Sequence, residues 1–244
     1  MVSNFLGDVG SPHAASAIIS ASELIAREGV NLQKGMNFRD TGPLLSVFLV
    51  LPREGGYTDE WNEEAGVYVY EGHDSTTVES GKSVDQLMMY ESGKLTDNGK
   101  FYKAANAFKD GIRKERPSVE RGSTEASGPN VPLQVQVYEK LDAGVWYDKG
   151  IFNLIDAKHI AKDGGKVFKF YLTLADAEFY AADDPDRRER MLSSATKLAV
   201  WERDRGRCAV CETQSGLRFI SVSGGGMQLR CALHGGKTGG GLLG

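Results

Sequence analysis

The alternation of apolar and polar positions sets out most of the elements. Ile18, Ile19, Ala21, Leu24 and Ile25 recur at helical spacing between Ser11-Pro12 and Gly29, which predicts an amphipathic helix over 11–28. Leu44 to Leu51 is an almost unbroken run of Val, Leu and Phe between Pro43 and Pro52, the pattern of a strand buried on both faces. A short strand is predicted at Val67–Tyr70 inside an otherwise acidic, aromatic loop from 54 to 74. Phe101, Ala104, Ala105, Phe108 and Ile112 then predict a helix of about three turns after Asn98-Gly99. Beyond a polar connector at 122–130, strands are predicted at 133–138, 150–157 and 166–174, the last after the turn Lys162-Asp163-Gly164-Gly165. Asp183-Asp184-Pro185-Asp186 interrupts the pattern, and Arg187 to Arg205 reads as a final helix. Several strands with few helices imply an α+β chain built on a curved sheet or barrel with flanking helices, divided near 183 into residues 1–182 and a small unit at 183–244.

Composition narrows the class. The chain has 244 residues, 41% hydrophobic and 25% charged, as a globular protein does. No apolar run approaches the roughly 18 residues a membrane span needs, and the first residues lack a secretory signal, so no membrane partner and a cytoplasmic location are expected. The net charge of −4 is unevenly spread. From Arg187 onward ten Lys/Arg face four Asp/Glu, a balance of +6, so the preceding residues carry −10. A basic end on an acidic body suits contact with a polyanion; a solvated helix face is the alternative.

All three cysteines fall in the last 37 positions. Cys208-Ala209-Val210-Cys211 and Cys231-Ala232-Leu233-His234 are two knuckles separated by 19 residues. Each tight turn aims two ligands at one point, and two such turns complete a tetrahedron about Zn²⁺. Four protein ligands close the site, so the zinc is expected to be structural. A unit with 11 glycines after Arg205 and few large apolar groups needs that help to fold.

Around the knuckles, Ala199 to Cys211, Gly216-Leu217-Arg218-Phe219 and Met227 to His234 resemble the C-terminal HNH (ββα-metal) domains of restriction-type endonucleases. That family uses an Asp-His pair after its first strand and an Asn beyond the second knuckle to hold one Mg²⁺-like ion and activate water. Here Phe219-Ile220-Ser221-Val222-Ser223 stands where the pair is expected, and Gly235 follows the last ligand. No catalytic residue is therefore assigned, and Mg²⁺ or Mn²⁺ is required only if the unit cuts.

Further upstream, Gly55-Gly56-Tyr57-Thr58-Asp59-Glu60-Trp61 and Tyr68-Val69-Tyr70-Glu71-Gly72-His73-Asp74 resemble the pocket segment of SRA (YDG) domains, of the PUA-like superfamily. Ser83-Val84-Asp85-Gln86, Leu95-Thr96-Asp97-Asn98, Val135 to Tyr138, and Tyr147-Asp148-Lys149-Gly150 follow in the family's order, the last with one inserted Lys. The resemblance implies a reader that flips 5-methyl- or 5-hydroxymethylcytosine out of the duplex. Extrusion requires aromatic faces to replace lost stacking and a carboxylate to accept from the exocyclic amine. Tyr57 and Tyr70 are the candidate rings, Glu60 or Asp59 the acceptor, Gly56 the point of close backbone approach, and Trp61 a lid or packing residue. Lys100, Lys103, Lys109, Arg113, Lys114 and Arg116 are candidates for phosphate contact or a plain exposed helix face. Together these readings imply an endonuclease that recognises modified cytosine in double-stranded DNA and directs an HNH unit to cut, as a possible homodimer. The alternative is a non-cleaving reader whose zinc unit only docks on DNA.

Overall fold

The computed structural model describes residues 18–29, 31–39, 44–52, 59–62, 66–72, 84–94, 96–111, 131–175, 189–222 and 226–234. Strands β1 (Ile18–Ser20), β2 (Met36–Asn37), β3 (Ser46–Val50), β4 (Glu60–Asn62), β5 (Val67–Glu71), β6 (Leu133–Asp142), β7 (Val145–Lys162) and β8 (Gly165–Leu174) form one sheet. Its order is β2-β3-β6-β7-β8-β5-β4, with β1 added on β7. Only β3 and β6 run parallel; the other pairs are antiparallel. β7 is the spine: its first part pairs with β6, its second with β8, and the register slips between Leu154 and Asp156. Such slips bend and twist a strand.

Period-two alternation divides β3 between two cores. Phe48 and Val50 face a large cluster with Tyr68, Tyr70, Val135, Val137, Phe152, Phe168 and Phe170. Val47 and Leu49 face the opposite side, with Ile19, Leu24 and Tyr138. Helix α1 (Ala21–Glu28) covers that second face, and Glu28 pins it there by accepting from Arg39 at 2.6 Å and from the Tyr138 hydroxyl at 2.8 Å.

The predicted helix over 11–28 is shorter than its pattern. Residues 11–17 lie outside the described set, and Ile18-Ile19 are extended, paired with Tyr147 and Trp146. Ser20 and Glu23 form a capping box that starts the helix at Ala21. Three further elements were not anticipated: β2, β4, and α2 (Gln86–Glu91), which Asp85 caps by accepting from Leu87 N and Met88 N. The helix expected after Asn98-Gly99 begins earlier, as α3 (Thr96–Lys109), because Gly99 is an interior contact: a Cβ there would run into the Tyr90 ring.

Residues 194 to 234 carry α4 (Ser194–Arg203), capped by Ser193, the hairpin β9 (Leu217–Val222) and β10 (Gly226–Cys231), and a 3₁₀ turn at Ala232–His234. This C-terminal unit does not stand apart from the sheet. Val200, Phe219 and Leu229 share a buried cluster with Leu141 and Tyr147 of β6 and β7. The expected boundary near 183 lies outside the described residues.

Candidate metal centre and nucleic-acid interface

The four predicted zinc ligands converge. The sulfur atoms of Cys208, Cys211 and Cys231 and a ring nitrogen of His234 all lie within 4.8 Å of one another. Cys211 and Cys231 Sγ are 3.6 Å apart, and His234 Nδ1 is 3.2 Å from Cys231 Sγ and 3.8 Å from Cys208 Sγ. A tetrahedral zinc with ordinary bond lengths places two sulfurs about 3.8 Å apart and sulfur and nitrogen about 3.5 Å apart. The cluster therefore fits a metal ion such as zinc. Local backbone shapes the first knuckle: Cys208 N donates to Thr213 O and Glu212 N to Cys208 O, with Glu212 at φ 60°. Gly206, at φ 62°, packs where a Cβ would lie 2.7 Å from the Trp201 ring. Although burial opposes ionisation of Cys208, N–H groups of Cys211, Val210 and Cys231 aimed at its sulfur bring the thiol down to about 6, as a metal-binding thiolate needs.

The acids beside the hairpin are committed elsewhere. Glu189 accepts from Phe219 N at 3.0 Å and from Arg218 at 2.9 Å. Asp204 accepts from Leu229 N at 2.8 Å and pairs with Arg203 at 2.7 Å. Both carboxylates hold β9 and β10 to what precedes them. Among the described residues, the Cys/His cluster is the one group of three or more potential ligands.

The basic balance of the C-terminal part overstates its free charge. Lys197 is fully buried, Arg190 donates to Lys149 O and Ile151 O, and Arg218 and Arg203 are paired with acids. Arg205 and Arg207 remain exposed. On α3, Lys100 and Lys103 are exposed, lying over the rings of Phe38 and Tyr90 at 5.5 and 4.9 Å. Lys109 is paired with Asp156 at 3.1 Å. Arg113, Lys114 and Arg116 lie outside the described residues.

The predicted base pocket is rearranged. Tyr70 is a core residue: it has no exposed surface, its ring sits 4.7 Å from that of Phe48, and its hydroxyl donates to Leu49 O. Tyr68 and Tyr70 share the inner face of β5, and the sheet closes over both. A ring in that place cannot stack on an extruded base. Tyr70→Phe should cost about 1 kcal/mol, one internal hydrogen bond, in chemical denaturation and leave any DNA affinity unchanged. Gly56 and Tyr57 lie outside the described residues. Asp59 is half-buried and accepts from Glu71 N at 2.8 Å, which fastens β4 to β5. Glu60 is exposed and Trp61 partly so, on the strand that ends the sheet. Nothing in the sequence signalled that Asp59 would be held by a main-chain N–H.

No family model matches the chain, and no curated protein matches it. Solved structures with some likeness include the SUVH5 SRA domain crystallised with fully methylated CG DNA, 19% identical, TM-score 0.38, over 62% of this chain and 81% of that one. The same domain bound to fully hydroxymethylated CG DNA is 19% identical, TM-score 0.39, over 64% and 83%. SUVH6 of Arabidopsis thaliana in complex with SAM is 13% identical, TM-score 0.35, over 85% of this chain and 31% of that one. All three likenesses are distant.

Proposed function

We propose that this chain binds double-stranded DNA carrying 5-methyl- or 5-hydroxymethylcytosine and binds it without cutting. The observation that carries this reading is that the described parts of several SRA-like segments fall on one sheet, Asp59 to Trp61 at β4, Tyr68 to Glu71 on its neighbour β5, Val135 to Tyr138 on β6 and Tyr147 to Gly150 on the spine β7, with β4 ending the strand order. With one Asp59 oxygen bonded to Glu71 N, Glu60 is the carboxylate placed to accept from a cytosine amine, while Trp61, its neighbour on β4, faces the other way with Tyr68 and packs against the core. Gly56 and Tyr57 precede them. Lys100 and Lys103, with Arg205 and Arg207, supply exposed cations for phosphates. Zinc on Cys208, Cys211, Cys231 and His234 gives the C-terminal unit its shape and takes no part in chemistry.

The endonuclease reading needs a hard-ion site and a base near β9 and β10. Ser221 and Ile220 occupy that strand, and Glu189 and Asp204 are bound to main-chain N–H groups. These occupied carboxylates favour a reader over a nuclease.

Equilibrium binding of the zinc-loaded chain to matched plain, methylated and hydroxymethylated duplexes tests the reading. Tighter binding of a modified duplex is expected, and Glu60→Ala should remove about 1–3 kcal/mol of that preference. Equal affinity for all three duplexes would sink it, and nicked product with Mg²⁺ or Mn²⁺ would restore the nuclease.

A further inference from the structure

Lys149 is the residue by which Tyr147-Asp148-Lys149-Gly150 exceeds a Tyr-Asp-Gly triplet, and the sheet accommodates it as a β-bulge. Val137 pairs with Gly150 and Tyr138 with Asp148, so no residue of β6 stands opposite Lys149. A bulge re-aims the side chain of its extra residue. Here the ammonium goes inward: Lys149 is 2% exposed, with Nζ 3.5 Å from Glu139 Oε2 and 4.8 Å from the centre of the Tyr68 ring. A second ammonium reaches the same oxygen from the C-terminal unit. Lys197 of α4 is fully buried, with Nζ 2.6 Å from Glu139 Oε2, 2.7 Å from Leu192 O and 4.9 Å from the centre of the Tyr147 ring.

Two cations thus share one carboxylate inside the protein, and the surrounding elements do not correct the surplus. β5 contributes Tyr68 and β7 Tyr147, both hydroxyls kept protonated by burial and then by nearby carboxylates, Asp59 and Glu139 for Tyr68, Glu189 and Glu139 for Tyr147. From α4, Ser194 favours the ionised form of Glu139, whose second oxygen, Oε1, is buried without a hydrogen-bond partner among the described residues. The segment before α4 adds Glu189, held by Arg218 of β9 and Phe219 N, and Arg190, a further cation bonded to Lys149 O.

We propose that Glu139, Lys149 and Lys197 form a proton-operated interlock between the sheet and the C-terminal unit, strained when both amines are charged and tightened when Lys149 releases its proton. The inference does not depend on what the protein binds. Loss of one of two like charges crowding a single carboxylate leaves a matched pair where the dielectric is low. Burial, then the Lys197 charge, hold the Lys149 amine down to about 7 against the attraction of Glu139. An unfolded lysine titrates at about 10.4, so between the two values the unfolded state binds the extra proton. Stability from this group is therefore lowest below about pH 7 and rises from there toward about pH 10.

The test is hydrogen–deuterium exchange of α4 and β9 in the full chain with zinc in excess, at pH 6 and pH 8.5, corrected for intrinsic exchange. Protection should be greater at pH 8.5, on the order of tenfold. In Lys149→Met, protection at pH 6 should match or exceed that of the unaltered protein at pH 8.5, and the pH response should vanish. A response of the same size in the variant would place its origin elsewhere and overturn the proposal. Should the variant fail to fold, ¹³C NMR titration of the Lys149 Cε in the unaltered protein decides: a midpoint near neutrality supports the interlock, and one near about 10.4 refutes it.

Discussion

Cys231→Ser is expected to strip the metal from the C-terminal unit and melt its hairpin, while the eight-stranded sheet keeps its own unfolding transition. The size follows from what else holds residues 204–234. Cys208, Leu217 and Cys231 form a small buried cluster of their own, two of whose three members are candidate metal ligands. Behind it, Val200, Phe219 and Leu229 lean on Leu141 and Tyr147. Zinc contributes of order 10 kcal/mol to small sites of this kind, more than so few apolar side chains supply. Serine keeps the shape of the side chain and loses the thiolate. Metal analysis should find the equivalent of zinc gone, and circular dichroism should show strand signal lost only in part. A full equivalent of metal retained by the variant would contradict the four-ligand site, and a chelator should reproduce the effect in the unaltered chain.

The second large effect is expected at Glu139. The carboxylate has no exposed surface; burial favours its neutral acid, but the charges of Lys197 and then Lys149, with the Lys197 hydrogen bond, prevail and bring it to about 2. Glu139→Gln leaves the buried Lys197 ammonium without a counter-charge, and below neutrality the Lys149 ammonium as well. Breaking a buried pair in this way costs about 3–5 kcal/mol. For a chain of this length each kcal/mol lowers Tm by about 2–4 °C, so a fall of roughly 6–20 °C should be seen by calorimetry. Replacing all three charges at once, with Glu139→Leu, Lys149→Met and Lys197→Met, should recover most of the loss, because an apolar cluster of similar volume carries no desolvation cost. A Glu139→Gln melt within about 1 kcal/mol of the unaltered protein would mean that the cluster is reached by water and stabilises little.

What could be read from the chain beforehand depended on how local each signal was. The Cys/His cluster that could hold a metal ion was legible in the chain, because a two-residue spacing between candidate ligands is itself the geometry of a knuckle. β3, β6 and β8 were legible as apolar runs with strand periodicity. β7 was read as less than half its length, since the bulge at Lys149 and the slip beside Asp156 break its alternation. Ile18-Ile19 blended into the apolar stripe of the helix that follows, and only pairing with Tyr147 and Trp146 reveals them as a strand. α2 is six residues long and held by tertiary contacts: the buried Gln86 side chain donates to Gly72 O and accepts from Phe168 N.

Tyr70 shows the opposite failing. A tyrosine in a glycine-flanked aromatic segment fits a binding pocket as well as a core, and the sequence alone does not weigh the rings of Phe48 and Phe170 that close over it. The Glu139, Lys149 and Lys197 cluster left no mark at all, because its members lie on three elements that meet only in the fold. The basic count of the C-terminal part misled for the same reason: two of its cations are consumed inside the protein.

The most direct measurement of the central claim, that a modified cytosine is taken out of the helix and held at the β4 edge, is the fluorescence of 2-aminopurine placed beside the modified base. Binding of the zinc-loaded chain should raise the emission of the methylated or hydroxymethylated duplex as stacking is lost, leave the plain duplex unchanged, and lose the difference in Glu60→Ala. Unchanged emission from a modified duplex that is demonstrably bound would contradict the claim.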